Sequence, residues 1–518
     1  MISKPKSSKE RVRESSVEGA SSESESASGE ALPAGWATAN VEEIADIKLG
    51  KMLDRGKAAN GVPLPYLRNI NVRWRDFDLE ELLEMPFSDE EADKFTLLDG
   101  DVIVCEGGEP GRAAVWNRGP TDIKYQKALH RVRLAEDLNP HWLVHRLEHD
   151  AFTEALSEHF TGTTIKHFTR KAFAKYPIPI PPLAEQTRIV SAIESLQERS
   201  SRARDLLSEV GPLIGQLRQS VLRAAFSGRL TADWREQNPD VEPASELLSK
   251  VHEHDDGTKK RRRIKKKGTV PLHDDLFHDL PESWAYATVD ECLEKGFIID
   301  YVDGNHGGLY PRKEEFGDEG IQFITAKQIN DGIVDFDSAP RLNEERAQQL
   351  QKGWARGGDV LLTHNATVGR VARTPEDVGA FLLGTSVTYY RCNQAVFNCD
   401  FLYHVFCAPQ WQAQLGSIME QTTRNQVSIQ KQGFFRIPIA PVEEQREIVR
   451  ILDLKMERLR HVESGLASME SSLTQLDQSI LSKAFRGELV SQDPSDEPAS
   501  QLLARIREKR QATSNKRR

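Results

Sequence analysis

Two short stretches far apart in the chain carry side chains suited to reading a nucleic-acid groove. Arg68-Asn69-Ile70-Asn71-Val72-Arg73 offers Arg68, Asn69, Asn71 and Arg73, and Thr325-Ala326-Lys327-Gln328-Ile329-Asn330 offers Lys327, Gln328 and Asn330. A second pair of stretches supplies Thr163, Thr164, Lys166 and His167, and Thr423, Arg424, Asn425 and Gln426. Arg112, Lys124, Lys127, Asn365 and Arg370 complete the candidate set. Arg, Lys, Asn and Gln hydrogen-bond to base edges, while Ser, Thr and Lys serve phosphates. The chemistry so described is recognition, without bond making. The same residue types also line ordinary surface loops, and composition alone does not separate the two.

Signatures of catalysis are missing. Gly50 and Gly56-Lys57 are mis-spaced for a phosphate-binding loop, and no GxGxxG, HExxH or GxSxG occurs. Cys399, His404 and Cys407 lie close together at a spacing that fits no zinc set, so a buried structural role suits them better. No catalytic residue, metal site or cofactor is therefore expected on this chain.

The elements that would position the candidate residues follow from the rest of the sequence. At 518 residues the chain is too long for one domain. A net charge of −10 argues at first sight against a simple electrostatic nucleic-acid binder. No apolar run is long enough to span a bilayer, and the first residues lack the apolar core of a secretory signal. Five cysteines without a CxxC pair point to a reducing cytoplasm. Residues 1–31, rich in Ser, Glu and Lys, are expected to be disordered. Lys259-Lys260-Arg261-Arg262-Arg263-Ile264-Lys265-Lys266-Lys267 marks a second break, which reads as a solvated linker, a phosphate-contacting arm or an import signal.

After that break the chain starts again. Leu32-Pro33-Ala34-Gly35-Trp36 is echoed by Leu280-Pro281-Glu282-Ser283-Trp284, Gly100-Asp101-Val102 by Gly358-Asp359-Val360, Gly111-Arg112 by Gly369-Arg370, and Arg133 by Arg391. Residues 178–230 match 437–489 with 20 identities in 53, including Glu185-Gln186 and Glu444-Gln445. The spacing in these tails alternates 4 and 3. It sets Ile189, Ile193, Leu196, Leu207, Val210, Ile214 and Leu217 on one helix, and Ile448, Leu452, Leu459, Leu466, Leu473, Leu476 and Ile480 on the other. Such a heptad seam predicts a coiled coil of two helices, each roughly 67 Å long. Gly211-Pro212 predicts a kink or short break in the first. Two equal stripes in one chain are most simply paired antiparallel with each other, giving a pseudo-two-fold internal repeat. The globular parts read as mixed, with strands such as 101–104, 132–134, 359–362 and 386–390, and helices from His141 to His159 and Asp400 to Glu420. The fold class is thus α+β: two mixed α/β domains joined by two long antiparallel coiled-coil helices. The divisions are 1–31, 32–177, 178–230, a linker at 231–279, 280–436, 437–490 and a helical, basic tail at 491–518.

In its order and duplication of motifs the chain resembles the specificity subunit of type I restriction–modification enzymes. The carrying residues are the two Leu-Pro-x-x-Trp starts, the paired Gly-Asp and Gly-Arg positions, and the Pro-rich approaches ending in Glu185-Gln186 and Glu444-Gln445. Gln478-Ser479-Ile480-Leu481-Ser482-Lys483-Ala484-Phe485-Arg486-Gly487 closes the second helix. Ser283 in place of a glycine, Ala440 within the second Pro-rich approach, Gly211-Pro212 and the extension at 1–31 depart from the family pattern. The resemblance implies a non-catalytic subunit with two target-recognition domains, each reading half of a bipartite, asymmetric DNA site. It implies helices that set the gap and dock two methyltransferase subunits, with motor-nuclease subunits joining to cut unmodified DNA. S-adenosylmethionine, ATP and Mg²⁺ would sit on those partners. The alternative from another class is a two-lobed coiled-coil scaffold binding proteins, suggested by the acidic balance.

Overall fold

The computed structural model describes residues 32–52, 61–119, 121–162, 166–252, 279–419 and 425–516. Residues 1–31, the basic run at 259–267, and Thr163, Thr164, Thr423 and Arg424 lie outside the described residues. The chain forms two compact units, one of residues 1–206 with 468–518, the other of 207–467. Among the described residues no helix is long and apolar enough to cross a membrane.

In the first unit the strand Ala37–Asn40 pairs antiparallel with Pro177–Ile180, so the globular part closes on itself where it meets the long helix. Its main sheet orders the strands 45–49, 129–134, 102–105 and 113–115, all antiparallel. Alternate residues of this sheet face two cores. Val102, Val104 and Val132 pack with the helix Pro140–Phe152, and Ile103, Cys105 and Leu129 pack with a second sheet of strands 83–87, 62–67 and 124–125. The repeated Gly100-Asp101 and Arg133 have a structural cause. Gly100 takes φ +85° at the turn, and buried Asp101 accepts a two-pronged bond from Arg133 at 2.7 and 2.7 Å.

The second unit repeats this plan. Strands 285–288 and 436–439 pair, and the main sheet runs 298–303, 387–392, 360–365, 367–373. Arg391 clamps buried Asp359 at 2.8 and 2.7 Å. The accompanying sheet differs, with five strands in the order 316–317, 341–342, 321–324, 381–383, 354–355. The helix expected over Asp400 to Glu420 is two, Cys399–Cys407 and Pro409–Met419, because a residue before proline is pushed out of the helical region. The expected His141–His159 helix ends at Phe152, where Glu154 turns left-handed at φ +63° into a 3₁₀ turn.

The two long helices are Leu183–Phe226 and Val442–Phe485, of 44 residues each. Within the first unit Ile189, Val190 and Ile193 share a core with Ile480, Leu481, Ala484 and Phe485, and Arg204 binds Asp477 at 2.7 Å. Within the second, Leu222, Ala225 and Phe226 pack with Ile448, Val449 and Leu452, and Arg218 binds Glu463 at 2.9 Å. In both, rising numbers on one helix meet falling numbers on the other, so the pairing is antiparallel. Of the predicted seam, Ile189, Ile193, Ile214, Ile448, Leu452, Leu459 and Ile480 are buried, and Leu196, Leu207, Val210, Leu466 and Leu473 are half-buried. Leu217 and Leu476 are not seam residues: they stand 52% and 50% exposed. The helix also runs through Pro212 without a break. Pro212 is exposed there, so water can reach the backbone around the lost hydrogen bond.

Each helix ends on a left-handed glycine, Gly228 (φ +73°) or Gly487 (φ +70°). A Cβ on Gly228 would lie 2.2 Å from Pro281, and one on Gly487 2.7 Å from Pro33, so only glycine lets the chain pass these prolines. The segments that follow return to a core. Residues 232–237 and 244–249 are helical within the range read as a linker, and Ala244 and Leu247 are buried in the second unit. The helix Ala499–Lys516 buries Leu502, Leu503 and Ile506 in the first. The overlooked signal is a repeat: Glu242-Pro243-Ala244-Ser245-Glu246-Leu247-Leu248 matches Glu497-Pro498-Ala499-Ser500-Gln501-Leu502-Leu503. Ala244 N–H donates to Ser283 O, and Ala499 N–H to Gly35 O, both at 2.8 Å.

Candidate nucleic-acid interface

The candidate residues gather where three chain segments meet at one end of each main sheet. In the first globular part these are the 3₁₀ turn Asn69–Asn71, the tip of the hairpin between strands 102–105 and 113–115, and residues 161–162 with 166–168. Asn69 Nδ2 donates to Gly107 O at 3.2 Å, and Arg112 Nη2 donates to Asn69 O at 2.9 Å. Phe168 N–H donates to Glu106 O at 2.8 Å, which brings Lys166 and His167 beside the tip. Gly108 is required here: at φ +83° it leaves room for the Asn69 amide, which a Cβ would meet at 2.4 Å.

The second globular part builds the same junction with other residues. Its 3₁₀ turn is Ala326–Gln328, its hairpin tip is Asn365-Ala366, and its third segment is Asn425-Gln426-Val427. Arg370 Nη1 donates to Ile329 O at 3.0 Å. Ala366 N–H donates to Asn425 O at 2.9 Å, and Val427 N–H to His364 O at 2.8 Å. Ala366 holds φ +61°, unusual for a residue with a Cβ, at the hairpin's turning point. His364 beneath the tip is buried against Thr388 Oγ1 at 2.9 Å, and burial pushes its pKa down to about 4. It stays neutral at pH 7 and acts as a prop.

Three expected readers do not face outward. Asn71 is 3% exposed; its side chain accepts from Arg68 N–H at 3.0 Å and donates to Asp78 O and Glu81 O, closing the turn. Gln328, also buried, closes the turn of the second domain by accepting from Thr325 N–H at 3.2 Å and from Thr325 Oγ1 at 2.8 Å. Lys124 is 4% exposed, on a strand, with its ammonium on Thr96 Oγ1 at 3.1 Å; burial lowers its pKa. Buried polar groups must be paired, and in these places the backbone or a neighbour takes the pairing that a base edge would need. Arg112 and Arg370 hold loop carbonyls, so their first effect is on loop shape. Arg73 pairs with Asp78 at 3.1 Å on the surface. Arg68 and Asn69 are half-buried, as is Asn365; Lys127, Lys166, His167, Lys327, Asn330, Asn425 and Gln426 are exposed. Sequence reasoning passed over Ile70, exposed at the tip of the first turn; its signal was an aliphatic residue between two asparagines in a polar turn.

The repeated motifs outside this region also acquire roles. Trp36 Nε1 donates to buried Glu185 at 3.1 Å, and Trp284 Nε1 to buried Glu444 at 2.7 Å. Gln186 and Gln445 accept from the N–H groups of Asn139 and Asn398, the residues that cap the helices Pro140–Phe152 and Cys399–Cys407. These motifs lock each long helix to a globular part. Among the described residues no group of three or more His, Cys, Asp or Glu is placed to hold a metal ion.

The family model of the type I restriction modification DNA specificity domain matches residues 33–207 and 294–458. The chain belongs to this family. Each matched stretch is one specificity domain with the first part of its long helix. The chain is 24% identical over 493 residues to the type I restriction enzyme EcoBI specificity subunit of Escherichia coli, covering 93% of this chain and 94% of that one. It is 24% identical over 503 residues to the EcoKI specificity subunit of Escherichia coli K12, at 94% and 97% coverage. In fold it is similar to a chain from a structural study of assembly and conformational transition in the type I R-M system, with a TM-score of 0.62, 21% identity, and 88% and 99% coverage. It is also similar to the HsdS subunit of Thermoanaerobacter tengcongensis, with a TM-score of 0.50, 21% identity, and 88% and 98% coverage.

Proposed function

We propose that this chain is the DNA-specificity subunit of a type I restriction–modification complex, and that its two specificity domains read the two unlike halves of a bipartite, asymmetric target. The observation that carries this is the pair of junctions: one construction, with an arginine bracing a turn beside a hairpin tip, presents Ile70, Lys166 and His167 in one domain and Lys327, Asn330, Asn425 and Gln426 in the other. Like scaffolds with unlike tips suit two different half-sites. The chain itself performs no bond-making step. Methylation of adenine and ATP-dependent cleavage fall to partner subunits, which carry S-adenosylmethionine, ATP and Mg²⁺. The long helices space the two readers and dock two methyltransferase subunits. Exposed Leu206, Met469 and Leu476 in the first unit, and Leu213, Leu217, Leu454 and Val462 in the second, support such docking, since apolar side chains grouped on a helix surface mark contact faces. The complex works in the cytoplasm. Its acidic total is compatible with DNA binding because partners share the phosphate contacts.

To test this, the chain is co-expressed with its methyltransferase subunits and methylated adenines are mapped across the host genome. A two-part motif is expected, and replacing residues 32–177 with another specificity domain should change one half alone. Absence of any two-part motif, or a motif indifferent to that swap, overturns the reading.

A further inference from the structure

The two turns share two closing bonds and differ in the residues those bonds hold out. Asn71 and Gln328 close their turns by the same bonds, and Asp78 N–H and Asp335 N–H donate to Asn71 O and Gln328 O at 2.9 and 2.8 Å. This register sets Ile70 in the place that Lys327 holds in the second domain, one residue before the closing side chain. Both side chains point to solvent: Ile70 is 53% exposed, and Lys327 is exposed. Ile70 belongs to none of the five apolar cores, so packing gives no reason for an aliphatic residue there. Its backbone is nonetheless held firmly. Ile70 N–H donates to Asn69 Oδ1 at 3.0 Å, Asn69 O takes Arg112, and Asn71 is tied at three points. A β-branched side chain on a braced turn has little rotamer freedom left to lose on binding.

We infer that Ile70 is a specificity-determining residue that packs on the C5-methyl group of a thymine in the half-site read by the first domain. Thymine alone among the four bases offers an apolar group in the major groove, and aliphatic side chains are its natural contact. The neighbouring Lys166 and His167, both exposed, supply the polar readout around it. The second domain, with Lys327 in that place, presents a cation there. This inference rests on the proposed DNA-reading function and adds the base feature one side chain recognises.

The experiment uses the complex with its methyltransferase subunits, on duplexes carrying the mapped target, at one fixed salt concentration because affinity depends strongly on salt. Each thymine of the first half-site is replaced in turn by deoxyuridine, which lacks only the methyl. One replacement should weaken binding by the wild-type complex about 4-fold, the value of one buried methyl group. The same replacement should leave the Ile70→Ala complex unchanged and still weaken the Ile70→Val complex. Ile70→Lys should lose the preference for thymine at that position. A first half-site without thymine, or equal losses for wild type and Ile70→Ala at every thymine, overturns the role of Ile70 while the DNA-reading function stands. A wild-type complex without target-specific binding overturns that function, and the inference falls with it.

Discussion

Glu444 gives the sharpest test of how the long helices are fixed to the globular parts. Its carboxylate is fully buried and accepts from Trp284 Nε1 at 2.7 Å, Thr231 Oγ1 at 2.6 Å and Arg235 Nη1 at 2.5 Å. Glu444→Ala leaves an indole N–H unpaired, takes the acceptor from the Thr231 hydroxyl proton and removes the countercharge from Arg235. Removing one member of a buried ion pair costs about 3–5 kcal/mol. Arg235 is 21% exposed and keeps Gly228 O at 2.6 Å, so the lower end, about 3 kcal/mol, is expected. The equivalent Glu185 differs: it accepts from Trp36, while the nearby Arg188 is already bound to Asp496 at 2.7 Å. Glu185→Ala leaves no cation unpaired and should cost about 1–2 kcal/mol, the penalty for an unmade hydrogen bond in a buried place. Hydrogen exchange through a urea series, read peptide by peptide, measures both. Glu444→Ala should lower protection over 207–467 well beyond what Glu185→Ala does over 32–206. Equal effects, or a loss below about 1 kcal/mol for Glu444→Ala, would refute the claim that the buried carboxylate anchors the helix through Arg235.

Three further outcomes follow from the same geometry. Arg370→Ala frees the turn at Ile329 and should weaken target binding about 10-fold while thermal stability changes little, as double-stranded DNA titration and melting would record. His364 is neutral in the folded protein down to pH about 4 and protonates in the unfolded chain near 6.5, so its contribution is present above pH 6.5 and is lost as pH falls toward 4. That loss is on the order of 3 kcal/mol, and His364→Asn should flatten urea stability between those pH values. Leu213→Asp with Leu217→Asp should leave stability within about 0.5 kcal/mol, because both sites are exposed, yet reduce recovery of methyltransferase subunits in co-purification.

Much of the architecture was legible because its causes are local or repeated. Heptad spacing gave two long helices, and the duplicated Gly-Asp, Arg, Leu-Pro-x-x-Trp and Glu-Gln positions marked a two-fold plan. The sequence could not say why those positions recur. Gly100, Asp101 and Arg133 serve a turn and a buried clamp, and Trp36 with Glu185 serves a helix anchor. Both are bonds between residues far apart in the chain. The candidate site was legible in part for the same reason. Residue type flagged Asn69, Lys327 and Asn425, which lie at one junction in each domain, but it could not tell a side chain facing out from one facing in. Asn71, Gln328 and Lys124 were flagged on chemistry and turned inward; Ile70 was passed over on chemistry and stands outward.

By itself the sequence determined the duplicated plan, the alternation of globular part and helix, and the heptad stripe, since periodicity and repetition are written residue by residue. Tertiary structure alone decided three things. It decided that Leu217 and Leu476 stand half exposed although the spacing places them on the stripe, because burial depends on what the partner helix presents opposite each position. It decided that the segments after Gly228 and Gly487 complete a core, because that depends on which distant surface lies within reach. It decided which side chain stands at the tip of each 3₁₀ turn, because hydrogen bonds to backbone atoms far along the chain aim it there.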